Sequence, residues 1–425
     1  MATGRGLSYA AYFAGWFLTW PIIGYMGAQG YTGLVAFLAI PVLAFARPQG
    51  LPRYVLAFGA FIGWVVAASF WSPGGKPFIS GSFGAGSFTM DMVGARVGLT
   101  ALACVAMLMA IAQVKAGGAT RSLLVIRWVG LVQMFGVLVT AVLMQPIIDF
   151  IISTGQSDQS NMMQNLLRNA NALLLLVPFL LAWAWQAFPR RLSRGVIVSV
   201  LGLLFGAFAL TGTQSAMFGS IFMLGAMALV WKLPRRGFRV LLGGLAAYVM
   251  VAPVLLVQGL GLLRHLGVPL PHSFMSRGYS WQLVQQKIAE KPLLGHGLEA
   301  SHDWQDTYSD HPSWLAEIIA AGGDEAAWSI YRVTPTHPHN MALQIWADTG
   351  VIGASLFALA LVTLAWRLPP PAQWPTVSRY AAAGLIGVVA AMFSFAYSMW
   401  NEAFWASVAV AAGVVLLQAR QDAQS

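Results

Sequence analysis

The chain has little charge for its length, and this excludes the class of soluble globular proteins. Of its 425 residues, 58% are hydrophobic and only 9% are charged, whereas a soluble domain carries roughly 25% charged residues. A single cysteine, Cys104, excludes a disulfide framework within the chain, so cysteine content does not indicate the compartment.

Motifs for nucleotide-driven and serine-nucleophile chemistry are also absent. The sequence contains neither a G-x-x-x-x-G-K phosphate-binding loop nor a G-x-S-x-G nucleophile elbow. Without a nucleotide-binding domain the protein is not an ATP-driven pump, and we predict no cofactor. Any activated substrate must therefore arrive from the membrane or from outside the cell.

Long apolar runs fill most of the sequence. Runs of about 20 residues have the length needed to cross a bilayer as a helix, and in lipid such runs must be helical to satisfy their backbone groups. The first run is too long for the core of a signal peptide, so we expect it to be retained. We predict an all-α polytopic membrane protein with about twelve transmembrane helices. They span approximately residues 7–26, 30–46, 52–71, 92–114, 125–148, 169–188, 195–213, 215–231, 240–260, 350–366, 380–398 and 402–418.

Basic residues orient these spans. With the N-terminus in the cytoplasm, the cytoplasmic connections and tails carry 16 of the 24 Lys and Arg residues, and the outer side carries 7. This distribution follows the positive-inside rule. It also accounts for the formal net charge of +10, so we predict no nucleic-acid partner.

The longest polar stretch, residues 261–349, lies on the outer side in this topology and contains all seven histidines of the chain. Its helical patterns and its tryptophan content predict a small ordered domain rather than a linker. We therefore divide the chain into residues 1–260 with nine spans, the loop 261–349, and residues 350–425 with three spans and a cytoplasmic tail.

The end of this loop carries the strongest candidate for chemistry. His339-Asn340 is followed by nine residues and then by Gly350-Val351-Ile352-Gly353. A histidine here can serve as a general base for a hydroxyl nucleophile. The nine residues correspond to about 2.5 turns of helix running into the next span, and the glycines would permit close helix packing. An interfacial histidine with ordinary packing glycines remains the alternative.

Arginines on the outer side are the next candidates. Arg277 lies early in the loop and Arg168 opens the sixth span. A guanidinium at the membrane boundary suits a phosphate, although it can equally extend to a lipid headgroup. Arg96 lies within a span, where a charge is costly, and its role stays open between function and structure.

A metal site is the main alternative for the loop. Ligand-type residues are frequent in it, but none has a recognised zinc spacing, and we predict no metal. These residues are His296, His302, Asp303, Asp306, Asp310, His311, His337 and His339.

Together these features resemble the O-antigen ligase and polymerase superfamily of bacterial envelope proteins. The shared motif H-[NSQ]-x9-G-x-x-G is matched by His339, Asn340, Gly350 and Gly353. Further matching features are Arg277 followed by Trp281, the turn Lys291-Pro292-Leu293-Leu294-Gly295-His296-Gly297, and the segment Arg168-Asn169-Ala170-Asn171-Ala172. The number of spans and the single large late loop also fit.

The resemblance implies a GT-C-like helical architecture in the bacterial inner membrane, with an active site on the periplasmic side. It implies transfer of a glycan from undecaprenyl pyrophosphate to a hydroxyl of lipid A–core, independent of metal and with inversion. His339 would be the general base and Arg277 a pyrophosphate ligand, with Arg168 as a weaker carry-over. Gln214 stands where many relatives have an arginine, and it can hydrogen-bond a phosphate without neutralising it. Supporting roles fall to His337, Asn340, Trp281, Gly350 and Gly353.

Other functions remain open from the sequence. The same motifs occur in O-antigen polymerases, which join the glycan to another repeat unit, and in protein O-oligosaccharyltransferases. We favour the ligase, because the chain has one large late loop and no large soluble C-terminal domain. A secondary transporter would place charged or Gly/Pro-broken spans near the midplane, and here the polar candidates lie in the loop. The glycan, the accepting core sugar and the oligomeric state are not indicated.

Overall fold

A computed structural model describes residues 8–46, 51–73, 75–80, 89–155, 159–268 and 272–422. These residues are mostly helical, and their β-structure consists of two isolated bridges, Ser80–Thr89 and Thr307–Arg332. The helices in chain order are α1 (Tyr9–Phe17), α2 (Trp20–Tyr25), α3 (Tyr31–Ala39), α4 (Val42–Phe45), α5 (Arg53–Ala68), α6 (Val93–Ala112), α7 (Ala116–Val142), α8 (Met144–Ser153), α9 (Gln159–Ala187), α10 (Arg190–Leu210), α11 (Gln214–Lys232), α12 (Gly237–His265), α13 (His272–Glu290), α14 (Pro312–Ala320), α15 (Glu325–Ser329), α16 (Met341–Arg367), α17 (Thr376–Phe395) and α18 (Glu402–Asp422).

Within the described ranges, ten helices are long and apolar enough to cross a membrane. They coincide with the third to twelfth predicted spans, and the prediction of a polytopic all-α membrane protein is confirmed. The first two predicted spans are also helical, but each is interrupted, giving α1 with α2 and α3 with α4. Pro21 and Pro41 stand at these interruptions, where the missing amide proton and the ring prevent a continuous helix.

The centre of the bundle is formed by α9, in which 83% of the residues of an apolar 18-residue segment are buried. Small residues bring its neighbours close. A Cβ at Gly384 of α17 would lie 2.6 Å from Cβ of Pro178 in α9, and one at Gly387 would lie 2.4 Å from the carbonyl oxygen of Phe222 in α11. Glycine at these crossings therefore permits the close backbone approach on which helix packing in lipid depends.

The two ends of the bundle are held by different contacts. At the end from which the large loop emerges, which we call the loop end, the Nε of Arg96 lies 2.8 Å from a carboxylate oxygen of Glu402. At the opposite end, the amide of Ala372 donates to the carbonyl of Pro234 at 2.7 Å. Arg96 thus joins α6 to the start of α18, which gives this charge a structural role.

The large loop is an ordered unit with its own apolar cluster, formed by Tyr279, Leu283, Tyr308, Ile318 and Val333. The helical patterns predicted in the loop, over residues 280–290 and 313–321, correspond to the second part of α13 and to α14. The cluster joins α13 to the segments that follow it, so the loop presents fixed side chains to the bundle beneath.

A buried chain of polar side chains ties α2, α7 and α9 together. Trp20 Nε1 donates to Gln133 Oε1 at 2.9 Å, and Gln133 Nε2 donates to Asn169 Oδ1 at 2.9 Å.

We expect Gln133→Ala to lower the free energy of unfolding by about 1–3 kcal/mol, because two buried polar groups lose their partner. Thermal unfolding in detergent measures this, with Gln145→Ala as the control, since Gln145 forms an exposed bond within α8. If both variants melt at the same temperature, these hydrogen-bonded side chains do not stabilise the bundle.

Candidate active site

The imidazole of His339 is held just before α16. Its Nδ1 lies 3.2 Å from the carbonyl oxygen of Ala396, in the α17–α18 connection. Because a carbonyl only accepts, the neutral ring carries its proton on Nδ1. Within the described ranges Nε2 forms no hydrogen bond, so its lone pair is left available to a substrate.

The backbone of His339 is strained. Its φ of 50° lies in the left-handed region, which residues other than glycine rarely occupy. Holding the backbone there costs of the order of 1–3 kcal/mol. Two contacts hold the adjoining chain in place. The backbone N–H of His339 donates to Nδ1 of His337 at 3.2 Å, and Trp281 Nε1 donates to the carbonyl of Pro338 at 2.9 Å. Such over-determined strain is typical of functional sites.

Asn340 caps α16 and anchors it to two other helices. Its Oδ1 accepts from the amide of Leu343 at 3.0 Å, which is the usual bond of a helix N-cap. Its Nδ2 donates to Tyr248 Oη of α12 at 2.6 Å and to the carbonyl of Ser394 of α17 at 3.0 Å. The side chain is fully buried. Asn340 therefore fixes the position of His339 relative to both helices.

Gly350 breaks α16 into two parts. Its φ of 65° and ψ of −169° lie outside the helical region, in a conformation that is essentially restricted to glycine. A Cβ at this position would lie 2.1 Å from the carbonyl oxygen of Leu293. The expected close helix packing is thus replaced at Gly350 by a break filled by the loop. Gly353 does lie against another helix, where a Cβ would be 3.2 Å from Trp64 of α5.

The loop segment 291–297 fills this break with backbone hydrogen bonds. The amides of His296 and Gly297 donate to the carbonyls of Ala347 and Asp348 at 2.8 and 3.0 Å, and the amide of Val351 donates to the carbonyl of Pro292 at 2.8 Å. These bonds satisfy the groups that the helix loses where it breaks. The two glycine-containing motifs therefore form one structural unit, a relation that spacing along the chain does not show.

Arg277 is the cation near the histidine pair. It is partly buried in α13, its guanidinium carbon lies 5.9 Å from the ring centroid of Phe274, and burial lowers its pKa. Among the described residues, no carboxylate forms an ion pair with it. A partly buried guanidinium without a counter-ion is suited to an anionic ligand.

Burial and this charge keep both histidines neutral. Burial lowers the pKa of His339, the charge of Arg277 lowers it further, and the bond to Ala396 opposes the shift. Burial, with the charges of His339, His302 and Arg277, lowers the pKa of His337 to about 3. The ring centroids of His337 and His339 are 4.3 Å apart. The pair therefore offers a neutral base near pH 7.

Arg168 lies on the other side of the α17–α18 connection. It donates to Gln164 Oε1 at 3.3 Å, and its charge lowers the pKa of Tyr397, which burial raises. Tyr397 Oη accepts from Asn171 at 3.1 Å. Since Tyr397 follows the residue whose carbonyl holds His339, one short segment joins the arginine to the base.

Gln214 is exposed at the start of α11. Its neighbour Ser215 donates to Asn171 Oδ1 at 3.0 Å, so the backbone at the start of α11 lies close to Asn171. It forms no hydrogen bond through its side chain in the part of the chain described.

Two other loop histidines have partners away from the His337–His339 pair. His296 Nε2 lies 2.7 Å from the carbonyl oxygen of Lys287, and His311 stacks on Trp314 with centroids 4.0 Å apart. In the described ranges, no group of three or more His, Cys, Asp or Glu side chains is placed to hold a metal ion.

Sequence reasoning missed the α17–α18 connection and Asp348. The connection supplies the carbonyl of Ala396 to His339, and Trp400 Nε1 donates to Asp348 Oδ2 at 2.6 Å. Asp348 is 1% exposed. A carboxylate inside an apolar run was the available signal, because a buried charge in a span is costly.

A known protein family matches the loop and the helices around it. Residues 199–358 match the family model described as O-antigen ligase. The match confirms, for this part of the chain, the resemblance to the O-antigen ligase superfamily that the histidine motif carries. The matched region contains Arg277, His339 and Gly353, whereas Arg168 lies before it.

Curated relatives agree with this family over a shorter segment. Proteins named "Putative polysaccharide ligase" are 37% identical over 81 residues in Rickettsia conorii, 38% over 86 residues in Rickettsia bellii and 35% over 81 residues in Rickettsia felis. The matches cover 19–20% of this chain and 17–18% of each relative. No solved structure matches the chain.

The break in α16 is testable by adding one methyl group. We expect Gly350→Ala to destabilise the protein by at least about 1–3 kcal/mol, because alanine is strained at this φ and ψ and its Cβ overlaps Leu293. Thermal unfolding in detergent measures the change. Gly225→Ala in α11 is the matched control, since a Cβ there meets nothing within 4 Å. Equal melting temperatures would show that the break is not required.

Proposed function

We propose that the protein transfers a glycan from undecaprenyl pyrophosphate to a sugar hydroxyl of lipid A–core on the periplasmic face of the inner membrane, as an O-antigen ligase. One observation carries this proposal. A neutral histidine whose Nε2 is free lies near an arginine that has no carboxylate partner among the described residues, in the region that matches the O-antigen ligase family model.

The chemistry needs a base and a site for a leaving phosphate. His339 Nε2 accepts the proton of the acceptor hydroxyl, and the hydroxyl oxygen attacks the anomeric carbon of the donor. The bond from that carbon to the pyrophosphate oxygen breaks with inversion, and undecaprenyl pyrophosphate departs. Arg277 stabilises the charge that develops on the leaving oxygen, which is greater in the transition state than in the ground state.

The lowered pKa of His339 serves this role. A base must be neutral before it can accept a proton, and burial together with Arg277 disfavours the charged ring. When the donor pyrophosphate binds Arg277, its negative charge offsets the guanidinium charge. Donor binding therefore raises the proton affinity of His339 at the time when the acceptor hydroxyl must be deprotonated.

Arg168 and Gln214 extend the proposed pyrophosphate site. Arg168 acts on Tyr397 of the α17–α18 connection, and Gln214 is next in sequence to Ser215, which bonds to Asn171. In this proposal Gln214 hydrogen-bonds the phosphate and Arg168 supplies the charge. Both substrates are lipid-anchored, so they approach from within the bilayer to the loop end of the bundle.

The supporting residues act through position. Trp281 and Asn340 hold the chain on each side of His339. His337 accepts a hydrogen bond from the backbone amide of His339. Gly350 and Gly353 allow the loop segment and α5 to approach α16. They are positioning residues, and none needs to contact the substrate.

His339 is tested by its removal. We expect His339→Ala to lower the initial rate of glycan transfer by about 10²–10⁴-fold, the usual contribution of a general base, while the protein remains folded. The measurement uses purified protein reconstituted with undecaprenyl-pyrophosphate glycan and lipid A–core. His311→Ala is the control, because this histidine stacks on Trp314 away from the pair. Normal transfer by His339→Ala excludes it as the base.

The same reconstitution distinguishes the related activities. Wild-type protein is given lipid A–core, a second donor molecule or a serine-containing peptide as the acceptor. We expect product with lipid A–core only. A product formed only with a second donor identifies a polymerase, and one formed only with the peptide identifies a protein O-oligosaccharyltransferase.

Arg277 is tested through the pH dependence of the rate. Because the folded-state pKa of His339 is lowered, the base is lost only as the pH falls below the ordinary value of 6.5. We expect Arg277→Gln to lower the rate by about 10²–10³-fold and to move the acid limb of kcat/KM to higher pH, since a repelling charge is removed.

Lys291→Gln is the control for this profile, because it removes an exposed cation of the same loop. Its profile should match that of the wild type. An unchanged acid limb in Arg277→Gln would show that the arginine does not act on the base, and an unchanged rate would exclude it from the pyrophosphate site.

A further inference from the structure

A cleft opens at the loop end, between the segment that follows α5 and residues 298–303. We propose that this cleft binds sugar hydroxyls of the acceptor glycan and presents one of them to His339, an inference that rests on the proposed function. The cleft has a volume of about 250 Å³, and its polar lining consists mainly of Ser72, Lys76, Glu299, His302 and Asp303.

The lining has the chemistry of a sugar site. Carboxylates accept hydrogen bonds from several hydroxyls at once, and an ammonium donates to hydroxyl or ring oxygens. Lys76 Nζ lies 3.2 Å from Glu299 Oε2, and the lysine side chain is 52% exposed. Exposed ion pairs contribute little stability, so a bound sugar can insert between the two groups at small cost.

Glu299 is held in an unfavourable conformation that directs its side chain to this cleft. Its φ of 56° is left-handed, which is disfavoured for a residue with a Cβ. Its amide donates to Asp348 Oδ2 at 3.2 Å, and Trp400 Nε1 donates to the same oxygen at 2.6 Å. A buried carboxylate of the broken helix thus fixes the residue that lines the cleft.

The wall of the cleft is bonded to the segment that carries the histidine pair. Ser301 Oγ donates to the carbonyl of Thr336 at 2.6 Å, which ties the cleft wall to the residue before His337. His302 lines the cleft and lies close enough for its charge to act on His337, whose ring is 4.3 Å from that of His339. A sugar in the cleft would therefore lie near the base.

The position favours the acceptor over the donor as the source of the sugar. Arg277, the proposed pyrophosphate ligand, belongs to α13, which packs on α12 and α16. The cleft is instead built by the connection after α5, another neighbour of α16. The two elements reach the histidine pair from different parts of the bundle, as two substrates of one transfer reaction require.

Binding to inactive protein tests the cleft directly. In a His339→Ala background, we expect Glu299→Gln to weaken binding of delipidated core oligosaccharide by about tenfold or more, because bonds to a charged group are lost. Binding of the free donor glycan should not change. Glu325→Gln is the matched control, since it removes an exposed carboxylate from the same loop. Isothermal titration calorimetry measures both affinities.

The outcomes separate the sources of the sugar. Unchanged affinity for core oligosaccharide overturns the proposal, and weaker binding of the donor glycan alone assigns the cleft to the donor and overturns its assignment to the acceptor. If Glu299→Gln lowers the melting temperature, Lys76→Met provides a second test from the other wall.

Turnover separates this inference from the proposed function. In protein that retains His339, Glu299→Gln should raise the KM for lipid A–core about tenfold with little change in the KM for the donor. If wild-type protein transfers glycan but the variant keeps both constants, the cleft assignment fails and the ligase function stands. If wild-type protein transfers nothing to lipid A–core, the proposed function itself fails.

Discussion

The arrangement of the site depends on the backbone pairing between the loop segment 291–297 and the break in α16. A helix that ends inside the bundle leaves carbonyls without partners, and this is costly where water is scarce. The amides of His296 and Gly297 supply those partners, and Gly350 supplies the backbone conformation. The pairing fixes the loop on the bundle, and Arg277 in the loop lies close enough to His339 for its charge to lower the pKa of the imidazole.

The proposed site combines a neutral histidine with a cation that has no carboxylate partner among the described residues. Burial alone would keep the histidine neutral, and it would equally favour a counter-ion for Arg277, but none is present among the described residues. A protein retains such a charge at a cost in stability. The cost is consistent with a site whose counter-ion arrives with the substrate, and with a base whose proton affinity rises when it arrives.

Much of the fold followed from the sequence, because length and apolarity alone identify a membrane-spanning helix. Ten spans and the helical patterns within α13 and α14 were predicted, although α7, α9, α13 and α16 begin well before the predicted positions. The interruptions at Pro21 and Pro41 and the break at Gly350 were not, since hydropathy does not report backbone geometry. His339, Arg277 and Gly350 were named from motifs. The partners of His339 and the cleft at Glu299 depend on contacts between distant segments, which one sequence does not encode in its spacing.

The carbonyl that holds His339 belongs to a segment beyond α17, and this has a consequence for biogenesis. Ser394 lies at the end of α17, and Ala396 and Trp400 lie in the α17–α18 connection, so none is available while the loop is first synthesised. During synthesis, α16 and α17 must therefore insert before the imidazole of His339 is held in place. A chain that stops short of α17 would carry every motif residue and still lack the carbonyl that holds His339. The ordering of His339 is thus coupled to the insertion of α17.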